Sequence, residues 1–367
     1  MTERGAVLHI RSESGGGGGA DSVVHDLAAG LKRAGVRVVV CYLYQRGCDI
    51  SPLLRRLESA GVTAYGLAGR RWLDVGQLRQ IVRIIRENEV GVVHCHDYKA
   101  DFYGVLLRRR FPSLRLVSTA HGWNHTSWKG AVYDGADKLF LRGFDVVIAV
   151  SAEIMTVARR WGIVRVRLLQ NAVDTECWRR EPPLASHGAA GERTVGFVGR
   201  FSREKGPLDF VRVAARVAEG TPCRFVMAGE GPEGERLSDL IGRSGLAARF
   251  DLPGQLDRHQ LKELYHRLDV LVLPSYSEGI PLSVLEALAM EVPVVATRVG
   301  GVGEVVRPGM TGLLCEAGDV EGLASQVTCL LRDRTLAATL SRNGRALVER
   351  EFSLRTNVAA LLALYRE

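Results

Sequence analysis

Residues 277–286 read Ser-Glu-Gly-Ile-Pro-Leu-Ser-Val-Leu-Glu, and this stretch decides how the rest of the chain is interpreted. The short apolar run before it, Val270 to Leu273, is β-branched at two positions, which predicts a buried strand. Gly279 permits a turn and a close approach of a ligand, and Pro281 suits the first position of a helix. The sequence therefore predicts a strand, a turn and a helix over about 281–290.

Two carboxylates flank the start of this predicted helix. Glu278 lies just before it, and Glu286 lies between one and two turns inside it, so that its side chain can lean back toward the opening. The first amides of the helix have no intrahelical acceptor and, together with the helix dipole, favour phosphate. Acids that bind hydroxyls and amides that bind phosphate suit a sugar nucleotide. The alternative is a surface helix with two solvated acids.

This pattern resembles the signature of retaining glycosyltransferases of family 4, which have the two-domain GT-B fold. The resemblance implies that the first acid holds hydroxyls of the donor sugar, the second holds the ribose, and the residues between them hold the diphosphate. These roles fall on Glu278, Glu286 and the intervening donor-binding residues Gly279, Ile280, Pro281 and Leu282. The expected fold class is α/β, with two Rossmann-like domains facing each other across a cleft.

Length and composition agree with two globular domains. The chain has 367 residues, of which 46% are hydrophobic and 25% charged. It contains no run of eighteen apolar residues, so we expect a cytoplasmic protein, with peripheral attachment to the inner membrane face as an option. The seven cysteines form no Cys-x-x-Cys pair, which favours reduced thiols.

The formal net charge of +8 comes from the first half of the chain. Residues 1–176 hold 25 Lys and Arg against 17 Asp and Glu, whereas residues 177–367 hold 24 of each. No nucleic-acid-binding motif accompanies this charge, so we expect no nucleic-acid partner. An anionic membrane surface or a pyrophosphate-bearing acceptor explains the asymmetry, and an Arg-rich composition is the alternative.

A run of five glycines follows the first predicted strand and precedes an amphipathic helix from about residue 22. A strand, glycines and a helix in this order form a place where an anion can bind, although polyglycine alone also fits a flexible linker. Gly18-Gly19-Ala20-Asp21 is similar to the Gly-Gly-Ala-Glu of family 4, with Asp in place of Glu. The resemblance assigns Gly18 and Gly19 to the donor.

Histidines follow two later strands. His94 and His96 share one face of a strand, with Cys95 between them and Asp97 next, and these residue types can ligate zinc. No second pair of residues at metal-ligand spacing appears elsewhere in the sequence, so we expect no metal. We interpret this group as facing a ligand at the carboxyl end of the strand. His121 follows the strand over 114–120 and matches a family histidine near the reaction centre.

An aromatic and basic segment continues from His121 over residues 123–142. In family members the amino-terminal domain binds the acceptor, and aromatic rings beside cations suit an interface. The segment therefore supplies our acceptor candidates, although a helix packed on the domain by its aromatic side is the alternative. These candidates are Trp123, His125, Trp128 and Lys129.

The domain boundaries follow from composition. Residues 1–176 are expected to form the acceptor-binding domain, and its end carries Asn171, which the family resemblance assigns to the donor site. Residues 177–193 are rich in Pro and Gly and read as a linker. Residues 194–350 are expected to form the nucleotide-sugar-binding domain, with 351–367 a helix that returns to the first domain.

Two cations follow the first strand of the second domain. Arg200 is expected at the strand's carboxyl end and Lys205 just before the next helix, where a leaving diphosphate needs positive charge. The resemblance assigns both to the pyrophosphate and places Gly229 at the border of the nucleobase. The alternative is that both cations are solvated charges on a surface loop.

The predicted reaction is sugar transfer from a UDP- or GDP-linked donor to a hydroxyl, with retention and with neither metal nor other cofactor. Polyprenyl-diphosphate-linked glycan is the first expected acceptor, and a small soluble molecule is the second. A phosphorylase or an epimerase on the same fold would use similar donor contacts. A non-catalytic nucleotide-binding protein would not need Arg200, Lys205, Glu278 and Glu286 together.

Overall fold

The computed structural model describes residues 5–13, 18–70, 74–123, 128–181 and 192–367, with side chains of 128–133 excepted. The chain divides into two compact units, residues 1–171 with 354–367 and residues 172–353. Each unit is built on one parallel sheet with helices packed against it. Each is described below by itself.

The first unit contains a seven-stranded sheet in the order β3-β2-β1-β4-β5-β6-β7. Its strands are β1 (Ala6–Glu13), β2 (Val38–Gln45), β3 (Thr63–Gly69), β4 (Val90–Cys95), β5 (Arg115–Ala120), β6 (Val146–Ala149) and β7 (Val166–Leu168). The helices between them are α1 (Gly19–Arg33), α2 (Ser51–Ser59), α3 (Val75–Glu87), α4 (Tyr98–Arg110), α5 (Trp128–Leu141) and α6 (Ala152–Arg160). The strand order reverses between β1 and β4, where open α/β sheets bind ligands.

The second unit contains a six-stranded sheet in the order β10-β9-β8-β11-β12-β13. Its strands are β8 (Arg193–Val198), β9 (Cys223–Ala228), β10 (Phe250–Gly254), β11 (Val270–Leu273), β12 (Val294–Thr297) and β13 (Leu313–Cys315). Its helices are α7 (Pro207–Gly220), α8 (Gly234–Arg243), α9 (Arg258–Arg267), α10 (Leu282–Ala289), α11 (Val302–Val305), α12 (Val320–Arg332) and α13 (Arg334–Glu351). Here the order reverses between β8 and β11.

The stretch that opens the sequence analysis folds as predicted, with one shift at its boundary. Strand β11 spans the predicted residues, and all four of its side chains are buried. Helix α10 begins at Leu282, because Pro281 keeps an extended ψ of 123° and acts as the N-cap. The strand, the turn and the helix therefore carry Glu278 and Glu286 to the carboxyl edge of the second sheet.

The last helix, α14 (Leu354–Arg366), belongs to the first unit. It packs on α1 at Gly30, where an added Cβ would lie 2.7 Å from a methyl group of Val358. Glycine is therefore required at this crossing so that the two helices can approach closely. Among the residues that the structure describes, no helix has both the length and the apolar character needed to cross a bilayer.

Candidate active site

The loops that follow β8 and β11 are joined at the point where the second sheet reverses its order. The amide of Tyr276 donates to the carbonyl of Glu204 over 2.7 Å. Gly206 has a φ of +65°, and a Cβ added there would lie 2.1 Å from the carbonyl oxygen of Pro274. Only glycine fits this contact without strain. The contact places Lys205 beside the turn that carries Glu278.

Lys205 and Glu278 form a chelated ion pair. The ammonium lies 2.8 Å from Oε1 and 2.7 Å from Oε2 of the carboxylate, whose side chain is only 4% exposed. The hydroxyl of Ser275 also donates to Oε1 over 2.8 Å. A buried carboxylate with three charge-assisted or hydroxyl bonds is held rigidly. The predicted pyrophosphate cation and the predicted sugar-binding acid are therefore direct neighbours.

Sequence reasoning missed two residues that support this pair. Ser275 is one, and buried Thr297 is the other, because its hydroxyl donates to the carbonyl of Ser275 over 2.5 Å and lies 3.3 Å from that of Leu273. Thr297 is the last residue of β12, the next strand of the sheet. The sequence signal that could have indicated Thr297 was a polar residue at the end of a buried strand.

Glu286 is oriented by a tyrosine that the sequence did not indicate. The hydroxyl of Tyr265, on α9, lies 3.0 Å from Oε2 of Glu286 and 3.3 Å from the carbonyl of Ser283. Burial and the neighbouring carboxylate raise the pKa of Tyr265 well above its ordinary value, so the phenol stays a donor. Glu286 is thereby fixed on the first turns of α10.

The backbone between the two acids is packed closely against the loop after β12. The amide of Gly301 donates to the carbonyl of Gly279 over 3.1 Å, and a Cβ on Gly301 would lie 2.5 Å from that carbonyl oxygen. The side chain of Ile280 is buried, so this residue can offer a ligand only its backbone. The amides of Leu282 and Ser283 open α10 and have no intrahelical acceptor.

The loops after β8 and β9 also pack on each other. Gly229 has a φ of +144°, and its added Cβ would lie 2.0 Å from the carbonyl oxygen of Gly199. This contact holds the start of the loop that carries Arg200. Arg200 is exposed, and no described side chain pairs with its guanidinium. Its charge is thus available to an anion at the same sheet edge.

A row of imidazoles lies at the matching point of the first sheet. His9 on β1 is in register with His94 on β4, and both are fully buried. His96 stacks on His94 with ring centroids 4.3 Å apart, and His121 follows at 5.9 Å from His96. The sequence indicated three of these residues but missed His9, although its alternation with Leu8 and Ile10 places it on the face opposite the apolar core.

Burial keeps these imidazoles neutral. It lowers the pKa of His9 to about 3, and that of His94 and His96 well below the ordinary value. For His121, burial and then the Arg11 cation lower the pKa to about 3. Neutral rings can donate and accept hydrogen bonds but do not attract a phosphate by charge. The first sheet edge therefore differs chemically from the second.

One nitrogen from each of His9, His94 and His96 lies within 4.8 Å of the others, which is the spacing of a potential metal group. The hydrogen bonds oppose this interpretation. His94 lies 2.6 Å from the Tyr365 hydroxyl through Nδ1 and 2.7 Å from the Thr119 hydroxyl through Nε2. His9 Nδ1 and His96 Nε2 bond each other over 2.9 Å, and the second nitrogen of each ring is buried without a partner among the described residues. Both nitrogens of His94 are thus already hydrogen-bonded.

Residues 15–17 of the predicted glycine run lie outside the described part of the chain, and the described end of the run is held by Asp21. The amide of Gly18 donates to Asp21 Oδ2 over 2.8 Å, and Arg11 Nε donates to Oδ1 over 2.5 Å. Gly19 is the first residue of α1. Asp21, the residue that departs from the family pattern, thus fixes Arg11 at the start of the helix, and an anion at this site would meet that guanidinium.

The acceptor candidates are described in part. His125 lies outside the described residues, and Trp128 and Lys129 begin α5 with their side chains outside that part of the chain. Trp123 is half-buried, and its Nε1 donates to Asp137 Oδ2 over 2.9 Å. It therefore packs on the first unit while keeping some surface toward solvent. Asn171, predicted at the donor, ends the first unit.

Comparisons with known proteins find two glycosyltransferase family models along the chain. The family model of glycosyltransferase family 4 matches residues 17–177, and that of glycosyl transferases group 1 matches residues 184–347. A glycogen synthase of Mycobacterium tuberculosis is 28% identical over 379 residues, covering 95% of this chain and 91% of that protein. A D-inositol 3-phosphate glycosyltransferase of Mycobacterium avium is 29% identical over 392 residues, covering 96% and 90%.

The fold has solved counterparts. Anabaena HepE, in a crystal structure with UDP-glucose, superposes with a TM-score of 0.82 at 21% identity and covers 98% of this chain and 99% of that one. At this identity the likeness concerns the fold alone. The expectation of two parallel-sheet α/β domains of the GT-B class is confirmed.

Proposed function

This chain belongs to glycosyltransferase family 4, with a nucleotide sugar as donor, and on that basis we propose that it transfers the sugar to an acceptor hydroxyl with retention and without a metal ion. The second unit binds the donor and the first unit binds the acceptor. The observation that carries the proposal is the chelated pair of Lys205 and Glu278, beside the start of α10.

The diphosphate contacts are cations and amides. Lys205 and exposed Arg200 supply positive charge where the leaving group gains negative charge, and the first amides of α10 supply donors along the helix dipole. These groups are suited to the task usually given to a divalent cation. Glu286, held by Tyr265, binds the ribose hydroxyls in this proposal.

The reaction proceeds by front-face attack through an oxocarbenium-like state. Glu278 positions the donor sugar, and a leaving phosphate oxygen helps to remove the proton of the attacking hydroxyl. His121 is neutral because burial and Arg11 lower its pKa to about 3, so its role is to hold a hydroxyl by hydrogen bonding and not to supply charge. The protein contributes positioning and charge stabilisation.

The acceptor has two candidates. The basic first half and its aromatic segment support a polyprenyl-diphosphate-linked glycan, with peripheral attachment at an anionic membrane. The names of two relatives, which specify glycogen and D-inositol 3-phosphate, support a soluble hydroxylated acceptor instead. Flotation with anionic vesicles at low salt separates the candidates, because only the lipid-linked one requires binding to the vesicles.

A panel of UDP- and GDP-sugars tests the donor proposal. We expect one sugar nucleotide to raise the melting temperature and to be slowly hydrolysed, with the α-anomer released first from an α-linked donor when followed by NMR. The Lys205→Met variant should lose both effects. The opposite anomer as first product would contradict retention, and full activity of that variant would contradict the site.

Activity after exhaustive dialysis against a chelator tests metal independence. We expect unchanged turnover, since Lys205, Arg200 and the α10 amides are proposed to stabilise the leaving group. Turnover that disappears and returns with added Mg²⁺ or Mn²⁺ would contradict this part of the proposal.

A further inference from the structure

Two buried aspartates lie behind Trp123, outside the groups assigned so far. Asp101 on α4 is 2% exposed, and Asp137 on α5 is 7% exposed. The carboxyl groups are within hydrogen-bonding reach of each other. One oxygen of each, Oδ1, is buried without an ordinary donor. Asp137 Oδ2 accepts the indole N–H of Trp123 over 2.9 Å.

Two ionised carboxylates side by side in a buried pocket are strongly unfavourable. The neighbouring acids add to this repulsion, since Asp97 is the N-cap of α4 and Asp134 lies on α5. Against it stand a hydrogen bond from the Ser118 hydroxyl of β5 to Asp101 and the Lys138 cation, which lies over the Trp123 ring. One shared proton removes the repulsion between the two carboxyl groups. Asp101 then donates, and Asp137 accepts from both Asp101 and Trp123.

The direction of the pKa shifts agrees with this arrangement. Burial, followed by the nearby Asp137 carboxylate, raises the pKa of Asp101 well above its ordinary value. Burial also raises the pKa of Asp137, but the hydrogen bonds from Trp123 and Asp101 act against that rise. Because Asp137 already accepts the Trp123 N–H, we assign the shared proton to Asp101.

A cation holds the same indole from another side. The Lys138 ammonium lies 5.0 Å from the ring centroid of Trp123 and 4.8 Å from that of Trp161. Trp123 is thus fixed by two consecutive residues of α5, one through its N–H and one through its ring face. The preceding Gly122 has a φ of +138°, so the loop reaches this position through a conformation that favours glycine.

We propose that the proton shared by Asp101 and Asp137 positions Trp123, and with it the loop His121-Gly122-Trp123, for glycosyl transfer. Asp101 and Asp137 are positioning residues, since they act through the indole. The inference rests on the proposed function in one respect, the placement of the acceptor beside His121 and Trp123. Above the pH at which the proton leaves, the two carboxylates repel and the indole loses its fixed acceptor.

The test is a ¹⁹F NMR titration of the full chain labelled with 5-fluorotryptophan, from pH 5 to pH 10 and without substrate. The spectrum of the Trp123→Phe variant assigns the resonance. We expect the Trp123 signal to shift with rising pH in the natural protein. In Asp101→Asn the carboxamide donates the same hydrogen bond with no proton to lose, so the signal should stay near its low-pH position.

Turnover of the sugar nucleotide is measured over the same range. We expect kcat/KM to fall at high pH in the natural protein and to lack that fall in Asp101→Asn. Asp101→Ala should lower turnover about 10-fold at all pH values, an effect equivalent to one lost hydrogen bond to a charged group. Glu58→Gln, which replaces an exposed acid on α2 of the same unit, is the control and should behave as the natural protein does.

Three results would overturn the proposal. One is a Trp123 signal that does not move with pH in the natural protein, and another is an Asp101→Asn titration that matches it. The third is a signal that titrates while kcat/KM does not follow, because the pair would then hold Trp123 without serving the reaction. That last result would leave the proposed donor chemistry intact, since the enzyme would still turn over the sugar nucleotide.

Discussion

The two sheets reverse their strand order in the same way, yet they place opposite chemistry at that point. In the second unit, Lys205 after β8 meets Glu278 after β11, and the contact is between full charges. In the first unit, His9 on β1 meets His94 on β4, and burial keeps both rings neutral. Equivalent positions of one architecture can therefore carry full charges in one case and neutral hydrogen-bonding rings in the other.

The difference also has a consequence for pH. A charged pair loses strength when its carboxylate is protonated, whereas a neutral imidazole row is disrupted when its rings gain protons.

Removing the Lys205 cation from the carboxyl edge of the second sheet should have the largest effect. In Lys205→Met, the buried Glu278 carboxylate keeps only the Ser275 hydroxyl, which should lower the free energy of unfolding by about 3 kcal/mol. Turnover of the sugar nucleotide should fall about 10²–10³-fold because the leaving group loses a preorganised charge. Urea unfolding and initial rates measure the two quantities.

The double variant Lys205→Met with Glu278→Gln separates stability from function. It removes the unpaired charge, so stability should largely return while turnover stays low. Recovery of turnover in the double variant would mean that the pair is structural only.

Acidification should act mainly on the buried histidines at the carboxyl edge of the first sheet. Each buried imidazole whose folded-state pKa lies below its unfolded value near 6.5 adds stability that is present above that value and lost as pH falls toward the folded value. For His9, with a folded pKa of about 3, moving from pH 7 to pH 5 should remove about 2 kcal/mol. His9→Leu should lack this share of the acid sensitivity, as measured by urea unfolding at both pH values.

His259→Gln is the control, because this histidine is exposed and lies in the second unit. Its acid sensitivity should match that of the natural protein. Equal acid sensitivity of His9→Leu and the natural protein would contradict the assignment of His9 as a buried neutral ring.

Substitution of Gly206 tests whether the close backbone contact between the loops after β8 and β11 keeps Lys205 beside Glu278. Gly206→Ala places a Cβ against the Pro274 carbonyl at a φ of +65°, so we expect a loss of about 2 kcal/mol together with weaker donor binding. Gly242→Ala, in α8 with open space around the added atom, should instead gain about 1 kcal/mol. Equal stability of the two variants would contradict the close approach of the loops.

The smallest effect is expected from removing a single hydroxyl near the Lys205–Glu278 pair of the second sheet. Tyr265→Phe removes the donor that orients Glu286, which should weaken sugar-nucleotide binding about 10-fold by calorimetry. Tyr276→Phe is the matched control, since its hydroxyl bonds Asp209 and the residue is half exposed; it should change affinity less than about 2-fold. Equal losses of affinity in the two variants would mean that the Tyr265 hydroxyl does not orient Glu286 for binding.

The sequence predicted the second unit more fully than the first. Strand β11 and the helix beginning near Pro281 were identified because apolar composition, a turn glycine and a proline occur within a few residues. Such signals are local and the chain shows them directly. The contact between Lys205 and Glu278 was not predicted, because it depends on β8 and β11 being neighbours and on the tight packing at Gly206.

The missed features have physical reasons. Strand β3, Thr63–Gly69, lies at the sheet edge and contains glycines at 66 and 69, so it lacks the β-branched alternation that predicts a strand. Tyr265 and Tyr365 reach their partners across long sequence separations that no local pattern encodes. His9 appeared to be an ordinary strand residue until its register with His94 was known.

The place of α14 has a consequence for how the protein is made. His94 depends on Tyr365, which a ribosome adds only after the whole of the second unit has been synthesised. His94 Nδ1 therefore lacks this hydrogen bond until synthesis of the chain is nearly complete. A premature stop codon just before Leu354 would consequently damage the unit that was translated first.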